Sequence, residues 1–148
     1  MSKGFQPPPP SREVPLPIGI PTVGAFGKRT HPALSVVAPA GDLIRAGRKR
    51  LEIRQWKPAT LPLNNLVIVQ NQHRLSSTGL CEDPAGIIVA LVDVVTVREW
   101  RKEDLAAACA ETWEDGWLAW ELQNVRPLDR RGMVPARLRI YEIDLPDA

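Results

Sequence analysis

The stretch Gly47-Arg48-Lys49-Arg50-Leu51-Glu52-Ile53-Arg54-Gln55-Trp56 alternates with a period of two: Leu51 and Ile53 fall on one face, Arg50, Glu52 and Arg54 on the other. That is the period of a β-strand, and it predicts a half-buried strand over 49–56 with a charged face. Just upstream, Pro39 to Ala46 carries Leu43 and Ile44 and is closed by Gly47, the proline-then-glycine order of a short helix. Before it, Ala33 to Val37 (ALSVV) reads as a short apolar strand.

Downstream, Leu63 to Val69 and Gly86 to Val97 are rich in branched residues, and the second is apolar enough for a central strand, interrupted by Asp93. Gln70 to Ala85 collects Ser, Thr, Gly, Asp and Pro and reads as a loop. Lys102 to Ala110 predicts an amphipathic helix with Glu103 and Asp104 in its first turn. Gly116 to Leu122 and Val134 to Asp144 alternate again and predict two more strands. So few helices cannot cover an alternating parallel sheet, so the expectation is an α+β fold built on a mixed or antiparallel curved sheet, a small barrel.

Residues 1–32 form a separate region in which proline and glycine recur too often for a helix or interior strand. Pro7 to Pro10 favours polyproline II, and Lys3, Arg12, Lys28 and Arg29 face only Glu13, so this reads as an extended, mildly basic tail. Such a tail serves either as a linker or as a docking segment for a protein partner. Residues 33–148 are then the single domain that a chain of 148 residues accommodates. No apolar run reaches the roughly 20 residues of a membrane span, and proline stands where a secretory signal would be apolar. The expectation is a cytoplasmic protein without a membrane partner.

The charge is unevenly spread. Arg45, Arg48, Lys49, Arg50 and Arg54 face Glu52 alone, while Glu99 to Glu121 sets seven carboxylates against Arg101 and Lys102. Five clustered cations need solvent, an anion such as phosphate, or the acidic stretch to compensate them. Asp93, set in an apolar strand, needs a partner if buried, and Lys49 or Arg54 are candidates. Paired opposite charges lining a cleft also set up acid and base roles, which would fall to Lys49, Glu52 and Asp93 in an enzyme. Among five tryptophans, a ring beside the basic strand can stack a base, and Trp120 is the candidate. Cys81, Cys109, His31 and His73 make no four-ligand zinc set, and no phosphate-binding glycine loop, G-x-S-x-G or H-E-x-x-H is present, so neither metal nor cofactor is expected.

Residues Gly47 to Arg54 follow the pattern G-x-K-x-x-E-x-R, and Trp120 to Leu128 (WELQNVRPL) follows W-x-L-x-N-x-R-P. With Leu34 to Pro39 (LSVVAP) and Gly86 to Val95 (GIIVALVDVV), these resemble the ASCH domain family over about Ala33 to Leu145. The resemblance implies a PUA-like small mixed β-barrel with flanking short helices and a cleft beside the signature that binds RNA or other nucleic acid. Lys49, Glu52 and Arg54 would be its signature residues, with Asp93 opposite and Arg48 and Arg50 attracting phosphate. Some bacterial members of the family are amidohydrolases that deacetylate the modified nucleoside N(4)-acetylcytidine with Lys, Thr and Glu. Lys49 and Asp93 match the Lys and Glu, but Glu52 stands at the Thr position, adding charge and volume where that chemistry has a hydroxyl. The helix start Pro-Trp-Ala of many members reads Pro39-Ala40-Gly41 here.

Overall fold

A computed structural model describes residues 28–129 and 132–146. The elements are β1 (Lys28–Val37), α1 (Ala40–Arg45), β2 (Leu51–Arg54), β3 (Leu63–Asn71), β4 (Glu82–Glu99), a 3-10 turn (Lys102–Asp104), α2 (Leu105–Ala108), β5 (Leu118–Pro127), β6 (Met133–Arg137) and β7 (Ile140–Pro146). One mixed sheet runs in the order β2-β5-β4-β3-β1-β7, with β6 beside β4. β1 pairs with β3 in parallel, whereas β3–β4, β4–β5, β4–β6 and β2–β5 are antiparallel. This is the expected α+β architecture of a barrel-like mixed sheet with a few short helices. Among the described residues the ladder does not close into a ring.

The chain divides into two compact units, His31–Glu142 and the two chain ends. In the smaller unit Thr30 Oγ1 donates to Asp144 Oδ1 at 2.7 Å. The larger unit holds the core. β4 follows β3 on one side and passes from β6 to β5 on the other, so Ile88, Val89 and Ala90 are buried in succession and the strand needs apolar residues on both faces. Leu34, Val36, Ile44, Leu66, Ile68, Val92, Val94, Trp120 and Leu122 complete this core. A second cluster gathers Leu51, Trp100, Ala108 and Ala119, with Ile53, Trp113 and Trp117 packed on it.

Several boundaries differ from the sequence expectation for local reasons. Residues 28–32, read as the end of the tail, open β1; the tail before them lies outside the described residues. The stretch Val134 to Asp144 is two strands, because Arg139 adopts a left-handed backbone (φ 58°) and turns the chain between β6 and β7. The helix over 102–110 shrinks to the 3-10 turn and one turn of α-helix, since Cys109 is also left-handed (φ 53°) and returns its N–H to Ala106. The 70–85 loop ends early, β4 starting at Glu82 to meet β6.

Asp93 does not pair with Lys49 or Arg54. Its Oδ1 accepts the Asn65 N–H at 2.9 Å and Arg126 Nη2 at 2.7 Å, and its Oδ2 accepts Asn124 Nδ2 at 3.0 Å. Arg126 Nη1 also reaches Asn65 Oδ1 at 2.7 Å. Asn65 (φ 58°) and Asn124 (φ 52°) are left-handed and sit where the β3–β4 and β4–β5 registers slip. Asparagine tolerates that conformation better than other side chains. Asp93 is therefore the hub of a polar knot that holds two bulges, one on each flank of β4. The Asn65 N–H, the Asn124 amide and the Arg126 guanidinium hold its carboxyl below the ordinary range, against the opposing effect of burial.

Two expected outcomes follow from this packing. A Cβ at Gly86 would lie 2.6 Å from the Val134 carbonyl oxygen and 2.7 Å from Val69 Cγ1. Gly86→Ala is therefore expected to lower the unfolding free energy by about 1–3 kcal/mol, read by urea titration. Asp93→Asn removes a carboxylate whose native pKa is depressed, so the stability it contributes is complete above the ordinary carboxylate value and is lost as pH falls through the native one. The variant should be less stable than the parent by about 1 kcal/mol at neutral pH, and the two should converge in acid. Parallel thermal melts across the acid range check this; a gap that stays constant with pH would refute it.

Candidate ligand-binding cleft

The site begins where α1 ends. Gly47 takes φ 79°, a conformation costly for other residues, and its N–H returns to the Ile44 carbonyl. The N–H groups of Arg48 and Lys49 both return to the Leu43 carbonyl, at 2.9 and 3.0 Å. This turn carries Lys49 inward while Arg48 stays exposed. β2 then pairs with β5, Glu52 opposite Trp120 and Arg54 opposite Leu118. Leu51 and Ile53 join the second apolar cluster, as the alternation predicts. On the opposite face Arg50 is exposed, but Glu52 is only 6% exposed, and Lys49 just before the strand is 9% exposed.

These charges satisfy one another. Arg54 Nε donates to Glu52 Oε2 at 2.8 Å, and Nη2 stands 2.7 Å from the same oxygen in an ion pair. Arg54 Nη2 also donates to the Ser35 carbonyl at 2.9 Å, binding β2 to β1. Lys49 Nζ donates to the Ala108 carbonyl at 2.8 Å and stands 3.6 Å from Glu52 Oε1. Both Arg54 nitrogens use one carboxylate oxygen and leave the other beside an ammonium that retains two protons after its bond to Ala108. The cluster thus presents an acceptor next to a donor.

Lys49, Glu52 and Arg54 line a cleft of about 1110 Å³. Its other walls are Trp56, the 100–117 segment with Trp113 and Trp117, Arg74 from the loop after β3, Arg137 at the end of β6 and Arg139 from the β6–β7 turn. Trp113 is fixed by its Nε1, which donates to the Trp100 carbonyl at 3.0 Å. Trp56 stands edge-on to Trp120, centroids 5.0 Å apart, and carries the Arg139 guanidinium 4.2 Å above its ring. Ser35 Oγ accepts the Arg137 N–H at 3.1 Å and lies 2.7 Å from the Tyr141 hydroxyl, whose pKa burial raises.

The remaining sequence candidates lie elsewhere. Trp120 is completely buried and does not line the cleft; its Nε1 donates to the Trp56 carbonyl at 3.1 Å. Strand register explains this, since its ring enters the core beside Leu122 rather than following the basic strand into the open. Asp93 belongs to the bulge knot and does not line the cleft. Arg48 and Arg50 are exposed beside it without lining it. In the acidic stretch, Glu121 and Asp104 pair with Arg98, and the Arg98 guanidinium holds the Asp104 carboxyl below its ordinary range. Compensation of the Arg45–Arg54 cations comes instead from Glu52 and, for Arg45, from Asp129 at 3.8 Å. Sequence reading missed Arg74 in the loop after β3, Arg139 in the β6–β7 turn and Ser35 on β1; no local pattern marks Arg74 or Ser35, and only the nearby Arg137 offered a hint at Arg139.

Among the described residues no three His, Cys, Asp or Glu side chains come together to hold a metal ion, and no helix is long and apolar enough to cross a membrane.

Comparison with known proteins bears on this architecture. A comparison with curated proteins gives no match. Among solved structures, two mutant forms of the ZmASCH protein from Zymomonas mobilis are similar, at 12% and 14% identity and TM-scores of 0.43 and 0.44. The alignments cover 74% and 75% of this chain and 88% and 91% of theirs. The family model of the ASCH domain matches residues 34–130, which take in the Gly47–Arg54 signature, the Asp93 knot and the Trp120–Leu128 segment. The chain belongs to the ASCH domain family.

Proposed function

We propose that the cleft binds RNA or a nucleotide-like ligand, with Lys49 and Glu52 meeting the edge of a base. The observation that supports this is the buried Lys49–Glu52–Arg54 cluster on the floor of a cleft walled by Trp113 and Trp117. A base edge carries a donor beside an acceptor, which an ammonium next to a carboxylate oxygen complements. Indole walls supply stacking surface that any base can use, at roughly 1–3 kcal/mol per stacked base. The lining also has more cations (Lys49, Arg54, Arg74, Arg137, Arg139) than carboxylates (Glu52, Glu114), which favours an anionic ligand.

A hydrolytic reading draws on the same Lys49–Glu52 pair as donor and acceptor. The second carboxylate that it called for, Asp93, is committed to Arg126, Asn65 and Asn124. Binding is thus the better-supported reading, and hydrolysis of a modified nucleoside is its rival.

The test is titration with short single-stranded and duplex RNA and DNA at two salt concentrations. Affinity should fall with salt, as phosphate contacts require. Lys49→Gln should weaken binding about tenfold or more, the scale of one charge-assisted hydrogen bond. Trp117→Ala probes the wall without touching the ion cluster and should also weaken binding. Unchanged affinity in both variants, each shown to be folded by its melting transition, would refute the reading. Turnover of N(4)-acetylcytidine lost with Lys49→Gln would replace it by the rival.

A further inference from the structure

The signature residues account for the floor of the cleft but not for two cations at its rim. Arg74 and Arg139 both line it, and among the described residues neither makes an ion pair or a hydrogen bond. The other arginines that line the cleft are bound, Arg54 to Glu52 and Arg137 to Glu82, whereas Arg48 and Arg50, which have no ion pair among the described residues either, lie outside it.

Both are nevertheless held in place by the backbone. Arg74 follows His73, whose carbonyl accepts Nδ2 of Asn71, a fully buried residue that also lines the cleft. Asn71 is itself fixed, its carbonyl accepting the Ala38 N–H at 2.8 Å. Arg139 is a non-glycine residue at φ 58°, a conformation that L side chains rarely adopt and that persists where the surroundings impose it. Its position in the β6–β7 turn places the guanidinium carbon over the Trp56 ring, 4.2 Å from the centroid. Stacking occupies the face of a guanidinium and leaves its N–H edge free, the part that matches phosphate oxygens. Trp56 in turn cannot swing away, because its edge meets Trp120 in the core.

We infer that Arg74 and Arg139 form the phosphate end of the cleft, so that the ligand is a phosphorylated nucleotide unit and not a free nucleoside. The inference rests on the base-binding reading above and adds the group that the rim selects. The phosphate is either the terminal monoester of a free nucleotide or a linkage within an RNA strand; both present the same anionic oxygens to a guanidinium.

Calorimetric titration with the four ribonucleosides, their 5′-monophosphates and single-stranded RNA trinucleotides tests it on the full chain. At least one monophosphate or trinucleotide should bind about tenfold tighter than its nucleoside, the scale of one charge-assisted contact. Arg74→Ala and Arg139→Ala should each remove most of that advantage while leaving nucleoside affinity unchanged. Both residues are on the surface, and an unchanged melting transition establishes that the variants fold. An advantage seen with monophosphates identifies a terminal phosphate, and one seen only with trinucleotides identifies a linkage; either supports the inference. Equal affinity for nucleosides and their phosphorylated forms, or equal loss of both in the arginine variants, overturns it while leaving the base-binding reading intact. If no nucleoside, nucleotide or oligonucleotide binds, the base-binding reading fails and the inference falls with it.

Discussion

Burying Lys49 and Glu52 is the constraint around which the site is organised. Each ion loses its hydration, a penalty of several kcal/mol per ion even after relaxation, and attraction offsets it only when the remaining protons and lone pairs are satisfied. Here the offset comes from three directions: Arg54 on one carboxylate oxygen, the Ala108 carbonyl on the ammonium and the Ser35 carbonyl on Arg54. β1, β2 and α2 are thereby tied to one cluster, and the cleft exists because these elements are held at that spacing. An apolar triad of similar volume would often be as stable or more so, so stability alone is a weak reason for a chain to keep this one. A cluster that still offers a donor and an acceptor to the open side has a use that leucines would not.

The two sequence signatures divide the labour. Gly47 to Arg54 builds the cleft: the glycine supplies the left-handed turn, the lysine enters the interior, and glutamate and arginine share one face of β2. The Trp120 to Leu128 segment builds the frame. Trp120 fills the core, Leu122 packs beside it, and Asn124 and Arg126 fasten Asp93. The frame is not independent of the cleft, since β5 pairs with β2 through Trp120 opposite Glu52 and also with β4 at Asp93. The knot that fixes the bulges on β4 therefore helps to set the strand on which the signature lies.

What the sequence made legible was local. The alternation of Leu51 and Ile53, the apolar run of β4 and the glycine that stops α1 all depend on neighbours in the chain, and the structure has them as read. Partners distant in sequence were not legible. The pairing of Asp93 with Arg126 and the bulge residues joins positions 28 to 33 apart, and no periodicity encodes it. Alternation separates apolar from polar residues but does not say whether the charged face is solvated, and polar residues whose partners come from other elements can be buried too. The break between β6 and β7 escaped for another reason: Arg139 is an ordinary arginine by composition, and its positive φ is imposed by the turn.

That last residue shows how core and rim are mechanically connected. Trp120 is immobilised by complete burial, and it fixes Trp56 by an edge-to-face contact and a hydrogen bond to its carbonyl. Trp56 then offers a face to Arg139, which hydration alone would leave mobile. Side-chain order passes outward along Trp120, Trp56 and Arg139, from the packed interior to the solvent edge of the cleft. A long, flexible cation normally loses much rotamer entropy when it captures an anion. Seated on Trp56 in advance, Arg139 has already lost part of that freedom during folding, where the core supplies the compensation, so capture of an anion there, as proposed, would be spared that part of the loss.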